Sequence, residues 1–446
     1  MGKINDLNHI KVDIKNGGEV FVLDKGDIIN SEAEAMLQAL HSRSTGGFLH
    51  HLKVLNEKGA DNFMSQFYVG YGHKSIGDCG SCTIFIEGVS MLAAKAIQDF
   101  KLYNGQEAST RYIDFSKQKF IDPLSNELSN NILETQRNFY LEIIGPIKDN
   151  LKLQFPLNDG ENEKIYNKAI AAKAFDIARG FLPSGASTNL AWHSNLRQIA
   201  DRILFLRHHK LEEVRNIAEA IEKAVNIKFP NSFSIKRYEL TENYQDLIAE
   251  NYYYHNPKQE QFNFETKNFN FEELKYYSDL INERPPKTEL PQYLNNLGEF
   301  ECNFKLDFGS FRDIQRHRAI NQKMPLVTTQ LGFNDFYINN LPEKYKQKAK
   351  QHLNYINLEI SKLNLNKYNL QYFIPMGYNI SNSITGTLPA FSYMIELRST
   401  RFVHPTLRKI AKQMAEILKK NGIKLNLDLE PDRFDIKRGE HDIAFK

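Results

Sequence analysis

With 446 residues the chain is longer than one compact core usually serves, so two domains are expected. A hydrophobic share of 41%, a charged share of 25% and a formal charge of +3 fit a globular protein and exclude both a disordered chain and a broad nucleic-acid footprint. Three cysteines, Cys79, Cys82 and Cys302, build no disulfide framework; no apolar run would span a bilayer, and the start MGKINDLNH has no signal-peptide core. A reducing cytoplasm is the expected compartment, with no membrane and no nucleic acid as partner.

In chain order, the first recognisable strand is Thr83 to Glu87, a β-branched and aromatic run that Gly88 is expected to break. Val89, Leu92, Ala93, Ala96, Ile97 and Phe100 then form a helical apolar stripe. A segment marked by Phe181-Leu182-Pro183 follows, then Leu206-Arg207 and an amphipathic helix carrying Val214, Ile217, Ala218 and Ile221. Residues 251–293, rich in Tyr, Asn, Gln, Glu and Lys and closed by Pro285-Pro286, read as a connector whose aromatic residues pack onto a neighbouring domain. Beyond it Phe300, Cys302, Phe304, Leu306 and Phe308 alternate with polar residues, a strand with one buried face. Gly309-Ser310 is expected to end that strand and a helix to start at Phe311. Phe373-Ile374-Pro375, Leu397-Arg398 and a helix with Leu407, Ile410, Ala411 and Met414 repeat the order of the first half. The pattern predicts an α+β fold of two tandem copies: residues 1–250, a connector at 251–293, and residues 294–446.

Two short segments carry the charge that chemistry would need. Glu107-Ala108-Ser109-Thr110-Arg111-Tyr112, if extended, aims an acid, a hydroxyl and a guanidinium at one face, a set suited to a phosphate or a pyrimidine edge and equally compatible with solvated surface. Arg316-His317-Arg318 at a helix end suits phosphates or an anionic ring, or simply offsets the helix dipole. Other patterns lead nowhere. Gly70, Gly72, Lys74 and Ser75 resemble a phosphate loop, but His73 stands in place of its essential glycine. Cys79-Gly80-Ser81-Cys82 precedes a strand where a redox motif should follow one, and His50-His51 and His208-His209 lack the partners of a metal site. No metal is expected.

Together the two segments resemble the continuous Arg-His-Arg, then Glu-x-Ser-x-Arg-Tyr signature of flavin-dependent thymidylate synthases, cut apart and shared between two copies. Three further stretches resemble that family: His73-Lys74-Ser75-Ile76-Gly77-Asp78-Cys79, its flavin-contacting His-x-Ser-x-x-Glu-His loop; Ala178 to Pro183, with Arg179 reaching the nucleotide; and Asn195-Leu196-Arg197, its flavin-holding Asn-x-Arg. The resemblance implies FAD-dependent reductive methylation of dUMP to dTMP, with methylenetetrahydrofolate and NADPH as co-substrates. It implies nucleotide contacts at Glu107, Ser109, Arg111, Arg179 and Arg398, with Arg111 and Arg398 closest to catalysis. It implies flavin contacts at His73, Ser75, Asp78, Asn195, Arg197, Arg316, His317 and Arg318. Family members are homotetramers with interfacial sites, which implies a homodimer imitating a tetramer.

The departures are complementary. Gln98-Asp99-Phe100-Lys101 stands where the first copy should carry Arg-His-Arg, and Gly105-Gln106 is inserted before Glu107. In the second copy Gln371 replaces the nucleotide-binding arginine, and Thr387 and Pro389 replace the Asn-x-Arg pair. Asp78 and Cys79 replace Glu and His of the flavin loop. Neither half is then complete alone. A diverged flavoenzyme acting on another pyrimidine nucleotide and a non-catalytic nucleotide-binding paralogue are the alternatives.

Overall fold

A computed structural model describes residues 8–24, 30–42, 44–58, 74–233, 236–259, 262–286 and 288–428. The chain opens with a hairpin absent from the sequence reading: β1 (His9–Asp13) pairs antiparallel with β2 (Glu19–Leu23). Its turn uses Asn16, Gly17 and Gly18, all at positive φ, and Val20 and Val22 enter the core on alternate positions. Helices α1 (Ser31–His41) and α2 (Gly47–Lys58) follow. Then comes β3 (Ser81–Ser90), which does not stop at Gly88. The register shifts between Ile86 and Val89 while Gly88 takes φ 68°, so the glycine is absorbed as a bulge and the strand continues.

Ser90 ends β3 and caps α3 (Met91–Gln98), its side chain accepting from the Ala93 amide at 3.0 Å. After β4 (Asn104–Glu107) come two long helices, α4 (Glu127–Gln154) and α5 (Glu163–Ala178). β5 (Ser187–Asn195) passes directly into α6 (Leu196–Leu206), and α7 (Glu212–Lys228) and α8 (Glu239–Glu250) complete the first half.

The second half begins with β6 (Tyr253–Tyr254) and β7 (Phe262–Lys267), then β8 (Glu299–Asp307) and α9 (Phe308–Ile314). Phe300, Cys302, Phe304 and Leu306 are buried as their alternation predicts. The helix, however, starts three residues before the expected Phe311. Asp307 accepts the Ser310 amide at 2.9 Å, so Gly309 and Ser310 form the first turn of α9 and mark no break. Short strands β9 (Asn321–Gln322) and β10 (Met324–Pro325) precede α10 (Glu343–Ser361), β11 (Asn379–Thr387), α11 (Leu388–Arg398) and α12 (Pro405–Lys420). β5 and β11 are each nine residues, and each runs without a gap into an eleven-residue helix.

The chain forms two compact units, the first from residues 1–113 and 187–252, the second from residues 114–186 and 253–446. The first holds a five-stranded antiparallel sheet ordered β1-β2-β3-β5-β4, with Trp192 fully buried on β5. The second holds a four-stranded antiparallel sheet ordered β7-β8-β11-β9, together with α4, α5 and α10. The fold is α+β, antiparallel sheets with packed long helices. The aromatic residues between the halves do pack inward: β7 pairs with β8, placing Phe264 opposite Cys302, and the rings of Phe264 and Phe269 lie 5.4 and 4.6 Å from that of Phe300. Phe391 closes the same cluster at 5.8 Å. Replacing Phe300 by Ala leaves a cavity among these rings and should cost about 3–5 kcal/mol, read as a lowered urea midpoint. An unchanged midpoint would mean that this aromatic cluster does not hold the second unit.

Candidate functional site

In the second unit, the site grows from the point where β8 becomes α9. Asp307 is fully buried, and its carboxylate is met from three directions: the Ser310 amide, the Tyr337 hydroxyl at 2.6 Å and the Thr406 hydroxyl at 2.5 Å. Ser310 Oγ lies 3.0 Å from His404 Nδ1 and 2.8 Å from Thr406 Oγ1, and it accepts from Arg179 at 3.1 Å. Arg179 caps the C-terminus of α5, a helix from the first half of the sequence, yet it is seated in the second unit. Its guanidinium is buried; burial opposes its charge, but Tyr337, Asp176, Asp307 and Asp313 outweigh this and strengthen its hold on its proton. Tyr337 lies flat over Gly180, where a Cβ would come within 2.5 Å of the ring. Burial first, and Asp307 next, push its hydroxyl well above the usual tyrosine range.

One helical turn on, Asp313 faces a set of guanidinium groups. Burial works to raise its pKa, while Arg316, Arg179, Arg398 and Arg312 together hold it below the usual carboxylate range. Arg316 Nη2 is 3.7 Å from Asp313, with the arginine side chain about half exposed at 51%. Arg398, the last residue of α11, donates from Nε to His317 Nε2 at 2.7 Å. His317 is buried, and burial followed by Arg398 lowers its pKa to about 3, so it stands neutral as an acceptor. Arg179, Arg316, His317 and Arg398, residues from distant parts of the sequence, thus occupy one cationic neighbourhood, with Arg318 two residues beyond Arg316. Tyr337, Ser310, Asp307, His404 and Thr406 were missed by sequence reasoning. Only Asp307 had a signal there, as a capping residue three positions before Ser310.

The first unit holds the other predicted residues in two groups. Asp78 accepts from Arg197 Nε at 2.7 Å, next to Asn195, whose side chain caps α6 by accepting the Gln198 amide at 2.8 Å. Ser75 is exposed on the same short 3-10 turn as Asp78 (Lys74–Asp78), and His73 lies outside the described residues. The second group lies near the far end of β5. Glu107 pairs with Leu190, five residues from Asn195, or about 17 Å along the strand. The segment is not extended throughout: β4 stops at Glu107, and residues 110–112 form a 3-10 turn. Ser109 and Arg111 are exposed, but the Glu107 side chain is turned inward, accepting from Lys95 at 2.7 Å and Gln98 at 2.9 Å. Both members of that ion pair are buried. The three side chains therefore do not share one face.

Around residues 98–101, where the resemblance predicts Arg-His-Arg, the first unit's own side chains pack together. Arg202 lies over the rings of Phe100 and Phe205, at 5.7 and 4.4 Å, and donates to the Ala96 carbonyl, while Asp99 accepts from the Tyr252 hydroxyl at 2.9 Å.

The donor set of the second unit suits an anionic dinucleotide: guanidinium groups for its phosphates, and a neutral imidazole beside them. Among the described residues, no cluster of His, Cys, Asp and Glu could hold a metal ion, and no helix is long and apolar enough to cross a membrane. The state of His317 sets a pH signature. Folded His317 stays neutral, whereas the unfolded side chain protonates near pH 6.5, so stability falls as pH drops from 6.5 toward 3 and is unaffected above 6.5. By pH 5 this residue alone should cost about 2 kcal/mol. His317→Gln keeps an acceptor for Arg398 but does not titrate, and denaturant unfolding at pH 7 and pH 5 should show that part of the acid loss removed. An unchanged loss would mean that His317 is not buried in its neutral form.

Comparison with known proteins points the same way as the motifs. Residues 29–231 match the model of the family described as thymidylate synthase complementing protein. Over most of its length the chain is also similar to proteins named only as UPF0159 proteins: one from Chlamydia muridarum at 26% identity, covering 81% of this chain and 78% of that protein, and one from Chlamydia pneumoniae at 26%, covering 82% and 79%. A third, from Thermoplasma acidophilum, is 24% identical over 82% of this chain and 87% of its own. The first half of the chain is thus similar to the thymidylate synthase complementing family, and both halves together are similar to the UPF0159 proteins.

Proposed function

We propose that the chain is a duplicated member of the thymidylate synthase complementing family that converts dUMP to dTMP by FAD-dependent reductive methylation. Methylenetetrahydrofolate supplies the carbon and NADPH the reducing equivalents. The observation that carries this reading is the gathering of Arg179, Arg316, His317 and Arg398 around Asp313 in one unit. These four come from three separate sequence motifs, and no composition argument would bring them together.

In this reading Arg316 and Arg318 hold the flavin's phosphates, and neutral His317 accepts from Arg398 and so aims this guanidinium, with Asp313 balancing part of its charge. Arg179 is held by Ser310 and by the charges of Asp176 and Asp307, so it acts through the local field more than by direct reach. In the first unit, Ser109 and Arg111 receive the nucleotide's phosphate or its ring, while Asp78, Asn195 and Arg197 form the second flavin-facing group. When bound, the flavin supplies the hydride; the protein orients it and balances charge. The two copies divide the work, and the chain forms a homodimer in which the incomplete halves complete one another.

One observation favours a related reaction on another pyrimidine nucleotide. The Glu107 carboxylate is committed to Lys95 and Gln98, which leaves the substrate's ring less constrained than a signature glutamate would.

Replacing Arg111 by Ala should leave the flavin bound, seen in the visible absorption spectrum, and abolish nucleotide-dependent oxidation of reduced flavin, a loss of about 100-fold or more. Replacing Arg318 by Ala should instead release the flavin on gel filtration. Full flavin occupancy in the Arg318 variant, or undiminished nucleotide response in the Arg111 variant, would overturn these assignments.

A further inference from the structure

The polar face of the second sheet, opposite the face that carries Phe300 and Phe304, holds a cavity of about 300 Å³ that shares no residue with the arginine cluster. Its floor is a cross-strand row. Asn263 of β7 stands opposite Asn303 of β8, and Asn303 opposite Ser383 of β11, so the three side chains lie side by side on one face. The segment after β6 forms one wall, anchored where the Asn256 amide donates to Ser381 Oγ at 2.9 Å. Lys258 and Lys323 stand exposed at the rim, and the Lys323 ammonium is steadied over the Tyr254 ring at 4.9 Å.

The floor's polarity is fixed by its neighbours. Asn303 Nδ2 donates to Glu301 at 2.9 Å, and Asn263 Nδ2 donates to Glu265 at 2.7 Å. Each bond uses one N–H of the amide, fixes its orientation and leaves its carbonyl oxygen as an acceptor. Glu301 is an acceptor too: the Asn303 bond, with Lys267 at 3.3 Å, holds its carboxyl below the usual range, and Lys267 offsets its charge. The cavity therefore offers acceptors below and two cations above. Among the described residues that line it there is no apolar wall for a planar heterocycle, since Tyr254, the one aromatic residue there, has Lys323 over its ring.

A complementary ligand carries several hydroxyl donors at one end and an anionic group at the other. We propose that this cavity binds a phosphorylated sugar, its hydroxyls on the Asn263-Asn303-Ser383 row and its phosphate between Lys258 and Lys323. An amino acid would satisfy the rim and one acceptor but leave the remainder of the row without donors. Inorganic phosphate would use the rim alone.

Calorimetric titration of the full chain with ribose 5-phosphate tests this, with ribose, inorganic phosphate and glycine as separate arms. Saturable binding of ribose 5-phosphate, at least about tenfold tighter than that of ribose or of phosphate, is expected. Lys323→Ala, a rim change that leaves the core intact, and Asn303→Leu should each weaken it by about tenfold or more, with thermal melting confirming that both variants are folded. Absence of saturable binding, equal affinity for phosphate alone, tighter binding of glycine, or affinity unchanged in the Lys323 variant would each overturn the proposal.

Discussion

Much of the second unit depends on how one buried carboxylate is satisfied. Asp307 has no access to water, and a charge there is tolerable only if hydrogen bonds and opposite charge replace what water would give. The Ser310 amide, Tyr337 and Thr406 supply the bonds, and Arg179 supplies the opposite charge. In meeting Asp307's needs the chain fixes three further things. α9 starts at Phe308, so Asp313 and Arg316 project one turn further on. α12 is tied to the end of β8 through Thr406. Arg179, which caps the C-terminus of α5, is drawn in beside a strand more than a hundred residues away in sequence. The cationic neighbourhood is a consequence of that arrangement.

The first unit solves the corresponding problem differently. Ser90 caps α3 where Asp307 caps α9, and its hydroxyl donates to Glu213 at 2.5 Å, so the acid there stands on a helix and not at the end of the strand. The following segment carries Asp99 and Phe100 in place of arginine and histidine, and Arg202, Phe205 and Tyr252 close over it. The first unit keeps exposed polar groups elsewhere, at Ser109 and Arg111, and the second keeps its arginine cluster.

Much of this was legible in the residues, and what was not has physical reasons. The alternation from Phe300 to Leu306 announced its strand, and the aromatic residues of the connector announced inward packing, because burial of large apolar side chains dominates local choice. Gly88 and Gly309 misled, since a glycine reads as a break whether it ends an element, forms a bulge or sits in the first turn of a helix. A register shift with Gly88 at positive φ decided the first case, and side-chain capping by Asp307 the second, which depends on one acceptor meeting one amide. The motif letters identified Arg179, Arg316, His317 and Arg398, but nothing in them revealed that Arg179 would be internally paired, that His317 would be held neutral, or that Glu107 would turn inward to Lys95. These depend on burial and on partners brought from afar, which spacing along a chain does not encode.

The most direct measurement is product analysis. The purified full-length chain, supplied with FAD, NADPH, methylenetetrahydrofolate and dUMP, is assayed by mass spectrometry for dTMP, with uridine and cytidine monophosphates substituted for dUMP in parallel. The account predicts dTMP in many-fold excess over protein, with dUMP the preferred nucleotide. Flavin binding without methylation of any pyrimidine nucleotide, or a protein that takes up no flavin, would contradict it.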